Sequence, residues 1–368
     1  MAYQNVATPR FYVNVLEWLH STGQNSGLAD IYRTSPINGK KVDEYVSAVN
    51  NFYELGNNPT HNTLSGNGFI AVLGHQFGGK DAEFIYQGEG EGVGILSSEN
   101  VTNVVNFNRD DNEFSFCPKY DGFSIGLINS GEGFEAIELK ISENYSDAII
   151  SSCIIGNYYE MPHSPDLNLT MTREYGGTKT LETRGGATLT NSYWTKQPNW
   201  GNGLPAWHLY KQANDNAPEL DNLAPLAISG RRVWNLSFSY LQDQDMFPEI
   251  SNLTNYEHRQ PASGLSNNNT TPYDGDYYLE NEQDDYDPVT DTNAGFGGSS
   301  PRSFAFLQNA SNKNFISEVL HKTNGGALPF VFQPDSSNAN PDQFAICMFD
   351  QNSFQFKQVA NGVYNISM

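Results

Sequence analysis

Short runs in which apolar and polar residues alternate recur along most of the chain, separated by Gly, Asn, Asp and Ser. A period of two puts successive side chains on opposite faces of a strand, so the pattern predicts a mainly β fold. The clearest run is Arg231 to Leu241, where Trp234, Leu236, Phe238 and Tyr240 take one face and Asn235, Ser237 and Ser239 the other. It predicts a central strand. Between Gly68 and Tyr158 shorter candidates follow one another at 69–73, 83–86, 93–96, 101–107, 113–116, 123–128, 134–141 and 148–155. Such a train, with no long helix inside it, predicts a jelly-roll-like β-sandwich.

Helical spacing occurs in two places. Phe315, Ile316, Val319 and Leu320 form an apolar stripe, and Gly325-Gly326 follows where a left-handed cap is needed. Val42, Tyr45, Val46, Val49, Phe52 and Tyr53 form another, with Asp43 and Glu44 in the first turn. After the later helix, Leu328–Phe332, Phe344–Phe349 and Gly362–Met368 predict strands; in the last, Tyr364, Ile366 and Met368 alternate with Val363, Asn365 and Ser367. Residues 9–19 predict an N-terminal edge strand with Pro9 at its start. It either packs on its own domain or pairs with a neighbouring subunit.

A Pro-punctuated connector at 160–168 suggests a boundary. The expected division is an N-terminal arm with one helix (1–60), a sandwich (61–160) and a second β domain with one packed helix (161–368). In that last part, Leu167–Thr172 and Thr178–Thr183 predict a hairpin turning at Tyr175-Gly176-Gly177. Arg173, Lys179 and Arg184 make it the most basic stretch of the chain, for pairing with nearby Glu174 and Glu182 or for meeting an acidic neighbour. Trp194, Trp200 and Trp207 fit no single period and predict burial under the adjoining sheet or at a subunit contact. A long loop spans 256–301; its acidic centre, Asp274 to Asp291, lacks the spacing of a helix-flanked calcium loop. A solvated loop is expected there, with cation binding as the alternative.

The order of these elements carries a resemblance. A helix, then LPFVFQPD (328–335) and FAICMFDQNSFQFKQVANGVYNISM (344–368), preceded by TMTREYGGTKTLETRGGATLTNSYW (170–194) and GRRVWNLSFSYLQDQDMFPE (230–249), resembles the end of tailed-bacteriophage tail-tip proteins. The resemblance covers about residues 160 to 368 and rests on order, with no single diagnostic motif. It implies a sandwich or split-barrel tail domain, no enzymatic activity and no cofactor. It also implies a homo-oligomeric ring, six-fold or three-fold, that contacts other virion tail proteins. Segments 120–141 and 149–162 resemble galactose-binding-type sandwiches attached to such proteins. That implies host-surface glycan contacts, for which Tyr86, Tyr120, Tyr158 and Tyr159 are available unless they are packed.

Composition narrows the chemistry. The chain has 368 residues, 20 basic and 42 acidic side chains and a net charge of −22. Such a field repels nucleic acid and anionic membranes, so neither is an expected partner. No apolar run is long enough to span a bilayer, and the N-terminal residues lack a basic-then-apolar signal pattern. Synthesis in a reducing cytoplasm is therefore expected, and the resemblance to tail-tip proteins implies assembly in the host cytoplasm and residence in the virion tail. Cys117, Cys153 and Cys347 are widely spaced in apolar contexts and read as reduced core residues. The seven His residues show no metal-ligand spacing, and a nucleophile elbow, a phosphate-binding loop and a dinucleotide fingerprint are absent from the sequence.

The function expected from sequence is a non-enzymatic structural component of a tailed-phage virion, at the tail tip, the baseplate or a tail ring. Two alternatives remain: a carbohydrate-binding protein that recognises host glycans through residues 61–160, and a tail-tube or capsid-decorating protein.

Overall fold

The computed structural model describes residues 6–21, 32–34, 40–41, 53–54, 67–79, 82–88, 91–95, 101–108, 116–128, 134–141, 149–167, 169–174, 178–192, 231–247 and 314–368. The chain opens with β1 (Arg10–Asn14) and helix α1 (Val15–Ser21), followed by β2 (Lys40–Lys41), β3 (Tyr53–Glu54), β4 (Gly68–His75) and β5 (Ala82–Gly88). Next come β6 (Glu91–Ile95), β7 (Val101–Val105), β8 (Gly122–Ile128), β9 (Phe134–Ile141), β10 (Ile149–Ile150) and β11 (Ser152–Glu160). The later part holds β12 (Thr170–Glu174), β13 (Thr178–Glu182), β14 (Thr188–Ser192), β15 (Arg231–Asn235), β16 (Ser237–Gln242) and helix α2 (Asp243–Met246). A π-helix (Ile316–His321) precedes β17 (Phe330–Gln333), β18 (Ala345–Cys347), β19 (Phe356–Ala360) and β20 (Val363–Ser367). The fold is mainly β, as the alternation predicts.

A seven-stranded antiparallel sheet, ordered β18-β17-β1-β11-β4-β8-β7, is the frame. Its composition departs from the division expected at residues 60 and 160. Strand β1 comes from the supposed arm, β11, β4, β8 and β7 from the supposed sandwich, and β17 and β18 from the supposed second domain. Nor is β1 an edge strand: it pairs with β11 on one side and with β17 on the other. The cause is legible in its burial. Phe11, Tyr12 and Val13 are all buried, so both faces of β1 lie under other side chains. A strand apolar on both faces belongs in the interior of a covered sheet.

Each face closes a different core. Phe11 and Val13 join Tyr159, Phe315, Val319, Phe330, Phe332, Leu236, Phe238, Tyr364 and Ile366, which places the three-stranded sheet β16-β20-β19 and the π-helix over one side of the frame. Tyr12 joins Phe69, Leu73, Phe123, Ile125, Ile154, Val331 and Phe344 on the other. Phe11 is the hub of the first core, with ring centroids 5.1 Å from Phe332, 5.5 Å from Phe330 and 5.6 Å from Phe315. Together the two layers make a β-sandwich-like arrangement.

The helix expected near residue 315 is present as a π-helix, with Val319 and Leu320 in the core and the Asn314 side chain accepting the Ser317 N–H at 2.9 Å. Gly325 and Gly326 follow at φ 71° and 94°, the left-handed turn anticipated from the two glycines. Tyr364 and Ile366 are buried in β20, in line with their alternation. Residues 15–19, the second half of the expected N-terminal strand, form helix α1 instead. Tyr53 and Glu54, placed at the end of a predicted helix, lie in β3 paired to β9, and residues 42–52 of that helix fall outside the described residues. Of the 113–116 candidate only Phe116 is described, as an isolated bridge residue. Strand β19 was not anticipated.

The 231–241 run divides into β15 and β16 at Leu236, whose backbone pairs with Met368 in both directions, 2.8 and 2.9 Å. Past Phe238 the register against β20 shifts. Tyr240 sits at φ 64° and 78% exposure, and Leu241 takes the buried place that strict alternation assigned to Tyr240. A bulge inserts one residue and reverses the side to which its neighbours point.

Where β1 meets β11 the backbones come close. A Cβ on Gly156 would lie 1.8 Å from the Val13 carbonyl oxygen, which is main chain and cannot rotate away. Gly156→Ala therefore forces β1 off β11; urea unfolding should show a loss of about 3 kcal/mol or more, at or above the usual range for overpacked cores.

Candidate functional site

The basic stretch is built from two small antiparallel sheets. Strand β12 pairs with β15, and β13 pairs with β14. The second predicted strand, 178–183, coincides with β13, the first, 167–172, is shifted to Thr170–Glu174, and the two do not pair as the predicted hairpin. The hairpin turns one repeat later, at Arg184-Gly185-Gly186, where Gly186 takes φ 79° and Thr183 and Ala187 close the loop with a 2.8 Å backbone bond. Residues 175–177, expected to be the turn, lie outside the described residues.

Burial on these strands is low. Every residue of β12 is exposed. In the β13–β14 hairpin Thr180 faces Thr190 and Leu181 faces Leu189, so one face carries hydroxyls and the other a leucine pair. Leu181 is 50% and Leu189 58% exposed, and Met171 on β12 is 48% exposed. Sequence reasoning assigned no role to these three, because an apolar residue in an alternating run is normally taken as core. Arg173 and Arg184 are exposed, and Lys179 lies in β13. Arg173 stands directly opposite Arg232, and Glu174 opposite Arg231.

Arg232 ties this region to the frame. Its guanidinium lies 5.0 Å from the Trp234 ring and donates to the carbonyls of Asp342 at 2.6 Å and Phe344 at 2.8 Å, at the start of the end strand β18. Burial is the largest influence on this group and lowers its pKa. Trp234 packs edge-on against Phe332 at 5.4 Å, so the strand pair is anchored at one end and open at the other.

The four tyrosines proposed for glycan contact are not brought together. Tyr159 is buried in the first core and donates its hydroxyl to the Asp245 carbonyl at 2.7 Å; burial raises its pKa. Tyr158, its neighbour on β11, points to the opposite face, packs 5.9 Å from Tyr12 and lies under the Arg10 guanidinium at 5.5 Å. The Tyr86 side chain lies outside what is described. Of the three whose side chains are described, Tyr120 is the most displayed, 46% exposed between Lys119 and Asp121. Its loop is fixed from below: Asn106 accepts the Lys119 N–H at 2.7 Å and donates to the Tyr120 carbonyl at 2.7 Å, while the Gly78 N–H donates to Asp121 at 2.8 Å. Trp194, Trp200, Trp207 and the acidic segment 274–291 lie outside the described residues.

One arrangement has the look of a catalytic pair. His75 Nε2 lies 2.7 Å from Ser124 Oγ, both buried. The Phe77 N–H points at His75 Nδ1 at 3.3 Å, so Nδ1 accepts, Nε2 carries the proton and the imidazole donates to the serine. The Ser124 hydroxyl in turn donates to the Asn106 carbonyl at 2.6 Å. A histidine in this tautomer cannot take the serine proton, so the pair acts as a structural brace for the Tyr120 loop. A second buried pair, Lys322 Nζ to Glu318 Oε2 at 2.8 Å, sits on the π-helix, with Asn157 Nδ2 3.3 Å from the same oxygen. Among the described residues no three His, Cys, Asp or Glu side chains are placed to hold a metal ion. Cys117 and Cys153 are buried, Cys347 is half-buried, and none of the three is in a disulfide.

No protein-family model, curated protein or solved structure matches the chain.

Two measurements follow from the buried polar groups. Burial pushes the His75 pKa down to about 3, below its ordinary value of 6.5. Its contribution to stability is complete above that ordinary value and is lost as pH falls toward 3, because only the unfolded chain takes up the proton in that window. The slope reaches about 1.4 kcal/mol per pH unit. NMR should show the His75 ring not titrating between neutral pH and pH 4, and His75→Asn should flatten that part of the stability profile. For the ion pair, Lys322→Met leaves the Glu318 charge buried alone, and denaturant melts should show a loss of about 3–5 kcal/mol. Adding Glu318→Gln to it should recover much of that loss.

Proposed function

We propose that the chain is a non-enzymatic structural component of a tailed-bacteriophage virion, in the tail tip or baseplate, acting through protein–protein contact. The observation that carries this is where the apolar surface lies. Among the described residues the strongly exposed large apolar side chains are Tyr120 and, all after residue 160, Leu167, Met171, Leu181, Leu189, Tyr240, Met348 and Val359. Exposed apolar groups are where a protein–protein contact can form, and these fall in one stretch of the sequence. That part is also the one whose sequence resembles tail-tip proteins, and its order of strand pair, long strand, helix and final strands supports the same reading. A ring of identical subunits, six-fold or three-fold, with other tail proteins as neighbours, is the assembly we favour.

Host-glycan binding is the second reading, and the fixed Tyr120 loop favours it: an exposed ring beside a carboxylate and an ammonium group suits a sugar face. The tail-tube or capsid-decorating reading shares the same surface argument and differs in location.

Mass spectrometry and immunogold labelling of purified particles test the proposal. Label at the distal end of the tail is the expected result; label along the tube or on the capsid favours the third reading, and absence of the chain from particles overturns the assembly role. For the glycan reading, calorimetry with millimolar host saccharides should show heat that Tyr120→Ala abolishes, and no heat with the unmodified protein removes it.

A further inference from the structure

Three polar side chains meet beside the first core, where rings and aliphatic groups otherwise fill the space. Lys322 Nζ lies 2.8 Å from Glu318 Oε2, and Asn157 Nδ2 lies 3.3 Å from the same oxygen. Asn157 is 7%, Glu318 7% and Lys322 4% exposed. Asn157 stands on β11 opposite Val13 and two residues before Tyr159, so its side chain takes the face of these two core residues. Its Oδ1 is buried and meets no donor among the described residues. A buried amide oxygen left unpaired costs free energy and calls for an explanation. Glu318 lies on the π-helix and Lys322 caps its C-terminal end; π-helical turns are frequent at functional sites.

An amine, a carboxamide and a carboxylate in a dry site are the parts of an amide exchange. We propose that Lys322 and Asn157 form a covalent side-chain amide cross-link, with Glu318 as its acid–base catalyst. Until it reacts, the trio is the ion pair described above. Glu318 takes a proton from the Lys322 ammonium, which removes both buried charges and leaves a neutral, nucleophilic amine. The new Glu318 O–H donates to Asn157 Oδ1 once the amide turns about Cβ–Cγ, polarising the carbonyl and supplying the missing donor. Nζ then bonds to Asn157 Cγ, and the Cγ–Nδ2 bond breaks. The proton lost by Nζ passes through Glu318 to Nδ2, so ammonia leaves and Glu318 keeps the proton it first took. No oxidant or other reactant enters the balance. Apolar surroundings keep water from competing for Cγ. Holding both nitrogens on one oxygen supplies the proximity that the same reaction lacks in solution. The bond joins β11 to the segment leading into β17, the two strands that flank β1. It is independent of the assembly reading.

Intact-mass spectrometry of the denatured full-length protein tests this. The expected mass is one ammonia below that of the sequence, and a digest should yield a branched peptide in which Lys322 Nζ is joined to Asn157. The branched peptide separates the cross-link from ammonia lost by backbone cyclisation at an asparagine. Lys322→Arg keeps a cation beside Glu318 but lacks the amine, and Asn157→Ala removes the group attacked; each should carry its full mass. Glu318→Gln should slow the loss of ammonia by about a hundredfold, followed after pulse-labelled synthesis. A full sequence mass in the unsubstituted protein after prolonged incubation overturns the proposal, and this measurement holds even where a variant misfolds. Ammonia loss that persists in Lys322→Arg or Asn157→Ala overturns it as well. An unchanged rate in Glu318→Gln overturns the catalytic role of Glu318.

Discussion

Everything in this fold depends on enclosing a five-residue strand on both of its faces and both of its edges. Phe11 and Val13 need one apolar cover, Tyr12 needs another, and the backbone needs two partners. Those partners are β11, about 145 residues later, and β17, about 320 residues later. The chain meets the demand by folding its latest segments back over its earliest. The close approach at Gly156, the bond from the Tyr12 hydroxyl to buried Gln333 at 2.7 Å, and the Arg10–Glu160 pair at 2.7 Å are local consequences of that arrangement. So is the failure of any linear division into arm, sandwich and tail domain.

Around this frame the stability is uneven. Rings and aliphatic groups fill both cores, the buried polar groups His75, Ser124, Gln333 and Thr323 have partners, and the Glu318–Lys322 charges are paired. The strand pairs β12–β15 and β13–β14 share little of this. Strand β15 is held by Arg232 and Trp234, while every residue of β12 and the Leu181 and Leu189 side chains of the hairpin are exposed. Local opening free energies track buried apolar contact, so these pairs belong to the low end of the protein's range. Elements with weak internal support and a half-covered apolar face are suited to gaining order on contact, which is why the proposed function is placed there.

Strand positions were legible in the sequence because the period of two leaves a mark within a few residues. Partners were not, because pairing is decided by which remote segment offers a matching face. Strand β12 reads as half of a hairpin with β13, yet Arg231–Asn235 supplies its partner from more than fifty residues away. The bulge at Tyr240 is likewise silent in the sequence: a run that alternates cleanly on paper reverses when one residue is inserted into the ladder. Tyr158 and Tyr159 were candidates for the surface because consecutive tyrosines are ambiguous, and only the cores on each side of β11 bury Tyr159 and half-bury Tyr158. The basic character of Arg173, Lys179 and Arg184 could be read directly. The exposed leucines beside them could not, since exposure belongs to the assembled fold.

The long separation between β1 and β17 also bears on how the protein is made. At about 5–20 residues per second, roughly 15 to 65 s elapse between the emergence of Arg10 and that of Gln333 from a ribosome. During that interval Phe11 and Val13 lack the cover of Phe315, Phe330 and Phe332, and the edge of β1 that β17 fills is free to pair with any exposed strand nearby. Until β17 is made, the unfilled edge at residues 10–13 is thus a place where the growing chain is open to mispairing, a hazard the finished sheet no longer carries.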